Sequence, residues 1–491
     1  MKLFRSLGAP ALALTLTASS WGARAATHDD QNAAATDQVF ADLARPGSPG
    51  CALAVARDGK VLYEKGYGLA NVEEGVPIAP ATIFDIGSTS KQFTASSILL
   101  LERQGKLALN DDVRKYIPEL PDYGKKITIL HLLNHTSGLR DYLTLMDLAG
   151  INVDGVTTDE DALQIVTRQK ALNFDPGSEF LYSNTGFFLL SVIVKHVSGE
   201  TLREFAAKNI FAPLGMTHTQ YRDDHTALIP NRALAYDWNE KKRAFTLNVS
   251  YFEQTGDGAV HTSVEDLLKW DENFYTGKVG GPAFLEELQQ AGKLNSGKTL
   301  DYAKGLMAGN YRGLRTVMHG GAWGGYRAQL LRFPDQHFSV VCLCNLSSAQ
   351  PDARARRVAE IYLGGVMQAR AEKDRSEDDE EKPKMQEIKT AGRPLADFAG
   401  DYWSDELGVT YRLAVAGGAL RLARVLDASG WPRSLDLPDN SLKPSGSDQF
   451  DAAFGLKLHF SEDAAHRIAG FTLDAGRTKG MMFLRRTGPA N

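Results

Sequence analysis

A serine and a lysine three residues apart open the chemistry of this chain. In the stretch Phe84-Asp85-Ile86-Gly87-Ser88-Thr89-Ser90-Lys91-Gln92-Phe93, Ser88 stands just ahead of apolar residues at helical spacing (Phe93, Ile98, Leu99, Leu101) that stop at Gly105. The spacing predicts Ser88 on the first turn of a buried helix, with Lys91 one turn along on the same face. A serine hydroxyl is a poor nucleophile until an adjacent base takes its proton, and a lysine amine can be that base. The helix N-terminus adds a field that favours the alkoxide. Taken alone, the same residues read more readily as a helix cap, so their partners decide.

Two further stretches offer those partners. Tyr182-Ser183-Asn184 follows a break at Pro176-Gly177. Residues two apart in an extended segment face the same way, so a phenol that can pass a proton and an amide that can orient the lysine and a substrate carbonyl line one wall. Arg315 to Met318 reads as a strand that turns glycine-rich through His319-Gly320-Gly321-Ala322. Glycines in a strand mark the close approach of a ligand or another backbone, and a free N–H there serves an oxyanion. His131 and His135 stand at i and i+4, but Leu132 occupies the position where a zinc motif needs glutamate. Packing and capping are expected of them, and neither a metal nor a cofactor is expected.

Ser88-x-x-Lys91, Tyr182-x-Asn184 and His319-x-Gly321, in this order and joined by the runs Leu132 to Leu139 and Pro213 to Met216, resemble the β-lactamase and penicillin-binding serine hydrolases. The likeness is greatest to the branch of class C β-lactamases, D-aminopeptidases, D-alanyl-D-alanine carboxypeptidases and β-lactamase-like esterases. It spans about Thr36 to Gly364. The resemblance implies Ser88 as the acylated nucleophile, Lys91 and Tyr182 as the proton-handling pair, Asn184 on the substrate amide, and the N–H groups of Ser88 and Ala322 as an oxyanion hole edged by His319, Gly320 and Gly321. It implies an α+β fold, an antiparallel sheet flanked by helices with a helical lobe. In such enzymes the third motif usually opens with a lysine that holds a substrate carboxylate. His319 gives up that charge, which favours D-amino-acid peptides or esters over lactams. The alternatives are a β-lactamase and a penicillin- or muropeptide-binding module without turnover.

The surrounding chain fits such a protein. Lys2 and Arg5, an apolar stretch from Leu7 to Leu16 and Ala23-Arg24-Ala25 predict a signal peptide cut after Ala25, and so a periplasmic or secreted product. The greasiest later segment, Gly186 to Val197, is interrupted by Lys195 and His196 and reads as a buried helix rather than a stable membrane insertion. The 491 residues are 43% hydrophobic and 23% charged with a net charge of −5, which suits a multidomain globular chain and gives no reason to expect nucleic acid as partner. A small peptide, ester or lactam is the expected partner, and the oligomeric state is open. Of three cysteines, Cys342 and Cys344 share one face of a strand, are expected in the core and do not easily bridge each other, which leaves open whether Cys51 pairs with either.

Gly50 to Gly68 reads as a hairpin turning at Asp58-Gly59. The charged run from Glu372 to Lys389 cannot bury a core and reads as a linker. The expected division is a signal peptide (1–25), a hydrolase domain (26–369), a linker (370–392) and a C-terminal β-barrel domain (393–491). In the last, short strands at 409–415, 419–425, 456–460, 468–473 and 481–484 suggest a small barrel. It resembles the lipocalin-like domains attached to some of these peptidases and carries no catalytic constellation of its own.

Overall fold

The computed structural model describes residues 28–369, 393–425 and 440–486. The expected signal segment and the linker at 370–392 lie outside them.

The Asp58-Gly59 turn forms as read: both residues take positive φ (51° and 71°), as a mirror-image hairpin turn requires. It joins Cys51–Arg57 to Lys60–Tyr67. These strands complete a six-stranded antiparallel sheet in the order Met307–Tyr311, Leu314–Trp323, Tyr326–Phe333, Phe338–Cys344, Cys51–Arg57, Lys60–Tyr67. An early strand thus pairs with one almost three hundred residues later, and Cys51 lies directly opposite Cys344. Those two form a disulfide, while Cys342 is a free buried thiol. Cys342 and Cys344 are core residues as expected, and Cys344 is also one half of the crosslink to Cys51.

Both faces of the sheet are covered, which is why Cys51 to Ala56 and Phe338 to Cys344 are buried without alternation and apolar except at Ser339, whose hydroxyl donates to Asp271 at 2.6 Å. Leu53, Val55, Val340 and Cys342 pack toward Val358 and Ala359 of the helix Pro351–Leu363. On the opposite face Ala52, Ala54, Val341 and Leu343 join the larger core with the helices Lys91–Arg103, Asn184–Ser198 and Val264–Thr276. Small side chains on this face let the helix Val264–Thr276 lie close to the sheet.

The C-terminal strands close into an eight-stranded antiparallel barrel, with Tyr402 of the first strand pairing with Arg485 of the last. Besides the five strands read from the sequence it contains Gly400–Ser404, Ser441–Gly446 and Gln449–Asp451. Phe398, Tyr402, Phe450, Phe460, Phe471 and Phe483 stack through its interior.

The barrel docks on the larger domain through a buried polar joint. Arg140 pairs with Glu406 of the barrel at 2.6 Å, with both side chains under a tenth exposed. Its remaining donors reach the carbonyls of Lys479 (3.0 Å) and Gly480 (2.9 Å), and the second acceptance at Glu406 comes from the Lys170 N–H (2.7 Å). Such a pair is costly to break from one side, because the other charge stays buried. Arg140→Met is therefore expected to destabilise the protein by about 3–5 kcal/mol in thermal or urea denaturation. The double change Arg140→Met with Glu406→Met is expected to lose less than the single one; equal or greater loss in the double variant would contradict this account.

Candidate active site

Ser88 and Lys91 are held by a contact between two backbones. Gly87 to Ser90 form a tight 3-10 turn that runs into the helix Lys91–Arg103. Ser88 therefore sits in the turn ahead of the α-helix, not on its first turn, and makes no cap hydrogen bond. Against this turn lies the strand Leu314–Trp323, which continues unbroken through Gly320 and Gly321 to Trp323; the turn itself comes at Gly324-Gly325. A Cβ on Gly321 would stand 1.8 Å from the Ile86 carbonyl oxygen, and one on Gly87 (φ +46°) would stand 2.7 Å from the Ala322 nitrogen. No side chain fits at either position, so glycine is what lets the serine turn and the strand touch. The Thr89 hydroxyl fixes the register by donating to the His319 carbonyl at 3.2 Å.

Lys91 is fully buried. Its Nζ lies 2.9 Å from Ser88 Oγ, 3.0 Å from Asn184 Oδ1 and 2.5 Å from the Asp257 carbonyl oxygen. Three acceptors match the three donors of an ammonium. With one proton removed, the amine keeps its bonds to Asn184 and Asp257 and turns its lone pair toward the serine hydroxyl. Asn184 is the first residue of the helix Asn184–Ser198 rather than part of an extended segment, and its own N–H donates to Asp141 Oδ2 at 2.6 Å. The Tyr182 ring lies 5.0 Å from Lys91 Nζ, and its hydroxyl is buried with no hydrogen-bond partner among the described residues.

His319 lies on the same wall. Its Nδ1 is 2.6 Å from the Gly320 carbonyl and its Nε2 is 3.2 Å from the Tyr302 hydroxyl, which assigns the proton to Nδ1 and makes Nε2 the acceptor. Burial, with the charge of Lys91 as the second cause, lowers its pKa to about 4, so the imidazole is neutral. His135 is likewise held well below the usual histidine range by burial and by Lys91. His131 caps its short helix with Thr128, as expected, whereas His135 packs at 4.1 Å against the Tyr182 ring. Ser88, Tyr182, Asn184, His319, Gly320, Gly321 and Ala322 all line one cleft of about 1020 Å³, with Lys91 at its floor through Ser88.

Sequence reasoning missed Asp257, Tyr142 and Tyr302. The Asp257 carboxylate is buried and accepts from the Tyr142 hydroxyl at 3.1 Å. Burial raises its pKa to about 7, against the pull of Lys91. Its loop, Gly256-Asp257-Gly258, carried a turn signal but no spacing to any partner.

A family model for beta-lactamase matches residues 35–363. The chain is 33% identical over 306 residues to penicillin-binding protein 4* of Bacillus subtilis, an alignment covering 59% of this chain and 66% of that one. It is 29% identical over 384 residues to the D-aminopeptidase of Gluconobacter oxydans, covering 78% and 68%. It thus spans about two thirds of the length of these two curated relatives. The octameric penicillin-binding protein homologue from Pyrococcus abyssi shares the fold, with a TM-score of 0.60, 23% identity and coverage of 93% of this chain and 99% of that one. That likeness shows the fold, a sheet flanked by helices. The chain belongs to the beta-lactamase family.

Asp257 makes a testable pH signature. Between the free-acid value of 3.8 and about 7, the folded chain keeps a proton that the unfolded chain has released. This contribution to stability is complete below the lower value and is lost as pH rises through the upper one. Asp257→Asn lacks the loss, so its melting temperature is expected to gain on that of wild type as pH rises from about 5 to about 8. Parallel melting curves across that range would remove Asp257 as the source.

Proposed function

We propose that this chain is an exported serine hydrolase that works through an acyl-enzyme, with peptides containing D-amino acids as its main substrates and small esters as the second class. The observation that carries the reading is the 2.9 Å contact between Lys91 Nζ and Ser88 Oγ at the floor of the cleft. The similarity to a D-aminopeptidase supports the substrate class. The neutral His319 weighs against efficient lactam hydrolysis, since it supplies no cation for a lactam carboxylate.

In this reading Lys91, as the amine, takes the Ser88 proton while Oγ attacks the substrate carbonyl carbon. The resulting oxyanion lies between the N–H groups of Ser88 and Ala322, brought together by the glycine contact. The Tyr182 hydroxyl, free of other bonds, gives its proton to the leaving nitrogen as the C–N bond breaks, and regains one from Lys91. A water then attacks the ester along the same proton path in reverse, releasing the acid and restoring Ser88. Asn184 holds Lys91 in place throughout and has an N–H left for the substrate amide.

Ser88→Ala should abolish turnover and labelling by a fluorophosphonate with little change in melting temperature, because the hydroxyl serves no cap. Lys91→Ala should cost turnover to a similar degree, and the double variant should be little worse than Ser88→Ala, since groups acting as one unit are not additive. Side-by-side rates on a D-alanyl peptide, a nitrophenyl ester and a chromogenic lactam rank the substrates. A lactam rate far above the others makes the protein a β-lactamase, and a stable adduct by intact mass without product makes it a binding module. Substantial activity in Ser88→Ala would falsify the mechanism.

A further inference from the structure

The barrel places one cation in the cleft. Its last hairpin turns in two residues, Gly476-Arg477, with glycine at φ +50° in the first position. The turn is held from both sides by Asn173 of the catalytic lobe, whose amide donates to the Arg477 carbonyl (2.9 Å) and accepts from the Lys479 N–H (2.8 Å). Arg140 fixes the next residues through the Lys479 and Gly480 carbonyls. From this clamped turn the Arg477 side chain reaches into the cleft lined by Ser88, and its guanidinium lies 4.7 Å from the centre of the Tyr182 ring.

Among the described residues, two other guanidiniums of the cleft are hydrogen-bonded, and a third, Arg232, acts through its charge alone. Arg222 donates to the Ser250 and His225 carbonyls, and Arg327 to those of Gly324 and Tyr326. Arg232 offsets the buried Asp85 carboxylate. Arg477 differs. The carboxylate it faces, Asp141, stands 3.9 Å away, beyond hydrogen-bond reach, and already accepts from the Asn184 and Thr144 N–H groups. The Arg477 side chain remains 45% exposed. A planar fork of donors beside the group that protonates the leaving nitrogen, with its geometry set in advance, suits a carboxylate on the leaving residue.

We propose that Arg477 is a specificity residue of the active site that binds the free α-carboxylate of the residue leaving Ser88, so that the barrel completes the substrate site. This rests on the acyl-enzyme reading for its reaction and specifies its substrates as peptides with a free C-terminal carboxylate. The charge that the third motif lacks at His319 is then supplied from another domain, on the Tyr182 side of the cleft.

The test separates binding from turnover. On full-length Ser88→Ala protein, the affinities of N-acetyl-D-alanyl-D-alanine and its C-terminal carboxamide are measured by calorimetry, with Arg477 intact, as Arg477→Gln and as Arg477→Lys. With Arg477 intact the carboxylate is expected to bind about tenfold tighter than the carboxamide, the size of one charge-assisted hydrogen bond at a half-exposed site. Arg477→Gln should bring the ratio to about one, and Arg477→Lys should leave it in between. A ratio near one with Arg477 intact, or a ratio unmoved by Arg477→Gln, overturns the proposal. So does an equal loss for both ligands, which would make Arg477 a support for Tyr182. Because no bond is broken in this assay, it reads the subsite even where labelling at Ser88 fails.

Discussion

The structure depends on a buried lysine. Lys91 has no exposed surface, and an unpaired charge in such a place is costly enough that the chain must supply all its partners or lose the group's charge. Three separate elements do so: the serine turn, the start of the helix Asn184–Ser198 and the loop carrying Asp257. Each partner is itself tied down, Asn184 by the Asp141 carboxylate and Asp257 by the Tyr142 hydroxyl. Burial first, and Lys91 second, hold His135 and His319 neutral. Lys91 and the groups around Ser88 thus form one hydrogen-bonded network whose members come from three separate elements.

That shell needs two backbones in contact, and glycine provides it. The serine turn can present its N–H beside that of Ala322 only because neither Gly87 nor Gly321 carries a side chain. The strand in turn is held at its height by the sheet, whose far strands are tied by the Cys51–Cys344 disulfide. The disulfide closes a loop of almost three hundred residues that contains every catalytic candidate, and a crosslink across so long a loop limits the unfolded chain more than a short one does.

Legibility in the sequence followed locality. Ser88 with Lys91, Tyr182 with Asn184 and His319 with Gly321 could be read because each pair works at a fixed short spacing, and the order of the three pairs carries the family. The hairpin at Asp58-Gly59 was readable for the same reason, since one turn fixes its register. Asp257 and Tyr302 were silent, because a lone acid or phenol that meets its partner only across the fold leaves no periodic trace. The pairing of Cys51 with Cys344 rather than Cys342 depends on strand register, which composition does not contain. In the barrel, the three unread strands are two short ones and one holding Pro444 and Gly446, residues that argue against a strand and are tolerated here beside a bulge.

Arg477 shows why a domain without chemistry of its own can still belong to the active site. A barrel of aromatic core residues needs only short turns at its rim, and one of these turns lies against the catalytic lobe because Asn173 binds the turn itself and Arg140 the residues that follow it. The buried Arg140–Glu406 pair is a strict requirement on that fit: a shifted barrel would leave both charges without partners, so the docked position is strongly favoured over near alternatives. Precision at the joint is passed through a two-residue turn to a single guanidinium over Tyr182. The catalytic lobe can therefore keep a neutral histidine at the third motif, its Nδ1 proton on the Gly320 carbonyl and its Nε2 accepting from Tyr302, while the positive charge at the cleft wall comes from elsewhere in the chain.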